Sequence, residues 1–122
     1  MTPARIFLGA TRASIGVGSW VAPDLTMRVF GIDPDHADRF VGRLFGAREL
    51  ALAAALLAAP PAAVAPVAAL GAAVDAVDSI AGFDEARRGN MSTRAIVLGP
   101  VGALLFIALG VHVAQKAAAD VG

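Results

Sequence analysis

The chain contains no cysteine. That excludes disulfides, thiolate catalysis and cysteine-ligated metals, and it leaves the redox compartment open. Charge is scarce too. Charged residues make up 16% of the 122 positions, against ~25% in an ordinary soluble domain. The formal net charge is zero, ten basic against ten acidic side chains, so there is no bulk attraction to nucleic acid. No glycine-rich phosphate loop, nucleophile–base pair or zinc-ligand spacing is present, and no motif calls for a cofactor or a metal. What remains is apolar: 57% hydrophobic residues in a chain long enough for one domain, with mean hydropathy +0.70. Much of that is alanine, which is only weakly hydrophobic, and a soluble alanine-rich bundle would have a similar composition.

The apolar residues fall into four segments, each near the ~20 residues needed to cross the hydrocarbon core. They run from about 4 to 22, 40 to 59, 62 to 83 and 94 to 114. The first ends before Pro23, and Arg12 interrupts its apolar run. A signal-peptide core should be unbroken, so the segment is read as a retained helix. Pro60 and Pro61 separate the two middle spans, which predicts a tight antiparallel hairpin. In the first linker, Asp33-Pro34-Asp35 has the form of a helix start at Pro34. Residues 24 to 31 suit a short interfacial helix, with Leu25, Val29 and Phe30 toward lipid. Ser92 or Asn90 suits the cap of the last span. The reading is all-α: an integral membrane, antiparallel four-helix bundle.

Basic residues set the orientation. Arg28, Arg39, Arg43, Arg87, Arg88 and Arg94 lie on one side, with Arg5 and Lys116 on the other. The linkers at 23–39 and 84–93 are therefore expected in the cytoplasm of an inner-membrane protein, and both termini outside. His36 and His112 then sit at opposite faces, roughly 30 Å apart, too far to ligate one haem. Trp20 falls at an interface. Gly42-x-x-x-Gly46 matches a helix-contact pattern.

Five charged residues remain inside the spans: Arg12, Arg48, Glu49, Asp75 and Asp78. A lone Arg or Asp at the centre of a span costs ~2.5–3.5 kcal/mol even on a lenient scale. Helices rise ~1.5 Å per residue, which puts both the Arg48-Glu49 and the Asp75/Asp78 pairs roughly 7–14 Å inside the cytoplasmic surface. Asp75 and Asp78 are three apart and share a helix face. Arg48 and Glu49 are adjacent, about 100° apart around their helix. Arg48 is thus expected to face the third span, and Glu49 to face Arg12 on the first. The five form an expected ion network, serving to fix helix register or to act as a proton relay, ion site or headgroup site.

The stretches RVFGI (28–32), GRLFGARELALAAALL (42–57) and VDAVDSIAG (74–82) resemble a family of small bacterial four-helix integral membrane proteins of unknown function. Its Gly-Ala-Arg-Glu/Asp-Leu-Ala-Leu run and later Asp-x-x-Asp pair match here at Arg48, Glu49, Asp75 and Asp78. Ala53 stands where glycine is usual. The resemblance implies a four-span membrane fold and no activity. The expected role is an accessory or binding subunit, with the bilayer, a lipid or quinone headgroup, another copy of itself or a larger membrane complex as partner. The alternative is a small proton-coupled transporter or channel, built as an oligomer. A membrane enzyme using Asp75 and Asp78 to hold Mg²⁺ is the weakest reading, because Arg48 is the more economical partner.

Overall fold

The computed structural model describes residues 1–33 and 38–121. Everything described is helix, turn or connection. The helices are α1 (Pro3–Val21), α2 (Pro23–Val29), α3 (Arg39–Ala58) and α4 (Pro61–Arg87), followed by α5 (Thr93–Val121). The expected spans fall on α1, α3, α4 and α5. α4 runs a turn beyond its expected end and α5 two turns beyond. The expected helix start at Pro34, with Asp35 and His36, lies outside the described residues.

Local chemistry explains each start and stop. The Thr2 side chain accepts a hydrogen bond from the Arg5 amide at 3.3 Å, with Pro3 at the first helical position. Asp38 caps α3 by accepting from the Phe40 amide at 2.8 Å. Ser92, rather than Asn90, caps α5 by accepting from the Ala95 amide at 3.1 Å. The Ser92 hydroxyl also donates to the Gly31 carbonyl at 2.9 Å, tying the end of α2 to the start of α5. Gly31 has φ +79 there, and a Cβ would lie 2.9 Å from that of Arg94, so glycine serves both the turn and the close approach. At Pro100, α5 widens into a π turn over Val97–Val101. Proline has no N–H and its ring would strike the carbonyl one turn back, so the helix swells there.

The four long helices pack with alternating direction. α1 packs most extensively on α3, and α4 on α5. α3 and α4 are antiparallel and joined at Pro60, but they are not the tight pair expected from the short linker. The reason lies in side-chain size. Along α1 and α3, glycines bring backbones together: a Cβ on Gly46 would lie 2.9 Å from the Gly16 carbonyl oxygen, and one on Gly16 would lie 2.9 Å from the Gly46 carbonyl oxygen. Gly82 similarly makes room for the Pro100 ring, and Gly110 packs against Ala72. Nothing comparable links α3 to α4, where Leu44, Phe45 and Arg48 leave a groove. The expected Gly42-x-x-x-Gly46 contact is real at Gly46, while Gly42 faces the tip of Met27.

Burial is inverted relative to a soluble protein. Arg12, Glu49 and Asp75 are each at most 3% exposed, whereas Phe7, Phe40, Leu70, Val77, Ile80 and Leu105 are all more than half exposed. Two helices, α4 and α5, are long and apolar enough to cross a membrane. Only 33% and 17% of their most apolar stretches are buried inside the protein, whereas core helices of a soluble fold would be mostly buried. α1 and α3 do not qualify, because charge interrupts them: Arg5 and Arg12 in α1, and Arg39, Arg43, Arg48 and Glu49 in α3. The conventional core is small. Leu8, Leu56, Val64, Ala68 and Val113 cluster at the end that holds the termini and the proline turn.

Candidate functional site: a buried ion network beside a cavity

The five charged residues singled out in the sequence come together. Arg12 reaches from α1 between two acids. One Nη1 donates to Glu49 Oε2 on α3 at 3.0 Å and to Asp75 Oδ1 on α4 at 3.1 Å, and Nη2 donates to Asp75 Oδ2. Gly71 makes this reach possible, because a Cβ there would lie 3.1 Å from Arg12 Nη2. Arg48 forms a two-pronged pair with Asp78, at 3.2 and 2.7 Å, the geometry that suits guanidinium to carboxylate. Arg48 Nη2 lies 3.9 Å from Glu49 Oε1. The result is an alternating chain: Asp78, Arg48, Glu49, Arg12, Asp75. Acids occupy both ends, so the fully ionised chain carries one excess negative charge.

The expected division of labour between Arg48 and Glu49 is what the helix geometry produces: Arg48 faces α4 and Glu49 faces Arg12. The two aspartates divide differently from a shared docking on Arg48. Asp75 belongs to Arg12, and Asp78 alone belongs to Arg48. The two arginines also differ in surroundings. Arg12 is 2% exposed, with its guanidinium carbon 5.0 Å from the centre of the Phe106 ring. The Arg48 side chain is 40% exposed, lies 5.0 Å from the Phe45 ring centre, and lines the groove between α3 and α4. Among the described residues, its Nε is buried without a hydrogen-bond partner.

Glu49, Asp75 and Asp78 offer carboxylate oxygens within 4.8 Å of one another, close enough to share a cation. Each is already paired to a guanidinium, however, so most of the oxygens a metal ion would need are taken. The cluster is better suited to a ligand that meets it from one side.

Such a side exists. A cavity of about 760 Å³ runs from the network to the linkers at the far end of the helices. Its apolar wall includes Ile15, Met27, Phe30, Phe45, Leu105 and Phe106. Phe30, expected to face lipid, turns inward here, while Leu25 and Val29 are exposed as expected. Across the mouth, Asp38 contributes a further carboxylate. Pro100 lines the cavity, and the Ser79 hydroxyl donates to its carbonyl at 3.3 Å, anchoring the π turn against α4.

Arg5 has a role that charge counting misses. Its Nε donates to the Leu56 carbonyl and an Nη to the Ala59 carbonyl, both at 2.9 Å. These are orphan acceptors at the C-terminal end of α3, where a cation is favoured. The signal was available: a lone arginine one turn into α1, level with the unsatisfied end of an antiparallel neighbour. Trp20 stacks under Arg43, 5.5 Å from ring centre to guanidinium carbon. His112 is exposed on α5, and the comparison with His36 lies outside the described residues. No family model, curated protein or solved structure matches the chain.

Proposed function

We propose that the protein is a four-span integral membrane protein that works as a binding subunit. Its ligand has an apolar body that fills the cavity and a polar group that meets the ion network. One observation carries this reading: Arg12, Glu49 and Asp75 are buried while many large apolar residues are exposed. In water that arrangement would leave many large side chains wet and would desolvate Arg12, Glu49 and Asp75 at a net cost. In a bilayer the apolar exterior is solvated by lipid, and intramembrane charges survive only by pairing with one another. The pairing of Arg12 with Glu49 offsets part of the cost of inserting α1 and α3, which are less apolar than α4 and α5. The motif resemblance points to the same kind of protein.

The orientation that follows the basic residues puts the cavity mouth at the cytoplasmic face of an inner membrane, with both termini outside. An apolar pocket of several hundred Å³ with a few convergent polar groups is the usual form of a small-molecule site. Native mass spectrometry of protein released from membranes tests the reading, wild type beside Glu49→Gln. A specific bound molecule that disappears in a still-helical variant supports it. A wild-type protein that is always bare would overturn it and leave the charges with a purely structural role.

Proton-coupled transport is the second reading. It is favoured by Glu49 Oε1, which accepts no hydrogen bond among the described residues. Glu49→Gln should then keep abundance and lose proton-dependent flux in vesicles. Unchanged flux, or none in wild type, removes that reading.

A further inference from the structure

We infer that the cavity is selective for amphipathic organic cations, molecules with a positively charged nitrogen or phosphorus centre on a hydrophobic body. This deepens the membrane-binding reading above and rests on it. The charge of the wall decides the ligand class. Every charged side chain lining the cavity among the described residues is an acid: Asp38, Glu49, Asp75 and Asp78. The guanidiniums of Arg12 and Arg48 pair with three of these acids but do not line the space. A ligand entering from the mouth therefore meets carboxylates, with the positive charges behind them.

Glu49 gives the site its focus. Its side chain is 3% exposed, and it lines the cavity. Oε2 is held by Arg12 at 3.0 Å. Oε1 accepts no hydrogen bond among the described residues, and Arg48 is 3.9 Å away. Glu49 lines the cavity, and a cation there would give Oε1 a closer partner than Arg48 at 3.9 Å. It would also balance the single excess negative charge of the network. The apolar wall excludes small hydrated ions, which would have to shed water against Met27 and Leu105, and suits a hydrophobic body. Phe30, Phe45 and Phe106 add aromatic surface, which attracts cations. Neutral quinones and anionic lipid headgroups lack this complementarity, and an anion would face four acids.

The test uses two probes of one shape and opposite sign, tetraphenylphosphonium and tetraphenylborate. Binding is measured to the full chain in phosphatidylcholine nanodiscs. The expected result is saturable binding of the phosphonium and none of the borate. Glu49→Gln should weaken the phosphonium about tenfold or more, a loss of ~1.4 kcal/mol or more. Since Glu49→Gln also disturbs Arg12, Ala103→Trp provides a second variant. Ala103 lines the cavity wall on α5, and the indole should fill the space and abolish binding with every network charge in place. Folded, inserted wild-type protein that binds neither probe saturably, or binds both alike, overturns the cation assignment. So does binding unaffected by Ala103→Trp. A bound quinone or lipid that the phosphonium does not displace overturns it as well, and leaves the membrane-binding reading standing. Failure of the chain to insert into the bilayer at all refutes that underlying reading instead.

Discussion

The two ends of the helix assembly are built on different principles. At the end with the termini and the proline turn, Leu8, Leu56, Val64, Ala68 and Val113 close on one another, and Arg5 seals the last carbonyls of α3. At the other end the same helices stand apart around a cavity of about 760 Å³. The ion network marks the boundary. One half is packed as protein interiors are, and the other lies open between the π turn of α5 and the inward-turned Phe30. The difference teaches where stability and function are each stored. The closed half and the network hold the helices, which frees the open half to hold something else.

The comparison breaks first at the network. Arg12→Met leaves Asp75 buried without its partner and Glu49 with only Arg48 at 3.9 Å, a loss of about 3–5 kcal/mol. The variant should fail to accumulate in membranes, measured by immunoblot against wild type. Arg48→Met, at a half-exposed pair, should accumulate at a level between the two. Next comes the closed half. Leu56→Ala should cost about 2–5 kcal/mol, read as a fall in the midpoint of thermal unfolding in mild detergent. Met27→Ala, beside the cavity, should cost less, because the space it leaves joins one that already exists. A larger loss at Met27 than at Leu56 would mean the open half is the real core. The glycine contacts follow. Gly46→Ala places a methyl 2.9 Å from a backbone oxygen and should cost about 1–3 kcal/mol, while Gly42→Ala meets only the flexible end of Met27 and should cost under about 1 kcal/mol. The smallest effect is expected at Arg87→Ala, whose exposed pair with Asp84 should change the unfolding midpoint little.

The network was legible in the sequence because helical spacing alone decides it. A spacing of three puts Asp75 and Asp78 on one face, and adjacency turns Arg48 and Glu49 apart. Matching depths in antiparallel neighbours did the rest. The pairing of Asp75 with Arg12 was not legible, because it depends on Gly71 clearing a path across the centre. The packing order misled for a related reason. A short linker brings α3 and α4 together in sequence, but intimacy in space follows the small residues, and those lie between α1 and α3 and between α4 and α5. The cavity had little linear signature. It needs Pro100 to widen α5, Gly82 to receive its ring and Phe30 to turn back from lipid, three residues from three separate elements. Pro100, inside an apolar helix opposite Ser79, was the one clue to it.

The central claim is that charge lies inside and grease outside because α1, α3, α4 and α5 all cross a bilayer. The absence of cysteine makes it directly testable. Single cysteines at Thr2, Ile32, Ala62, Asn90 and Asp120 can be labelled in sealed vesicles with an impermeant thiol reagent. The account predicts that positions 2, 62 and 120 label from one side, and positions 32 and 90 from the other. Labelling of 32 and 62 from the same side would mean that α3 does not cross, and the four-span account would be wrong.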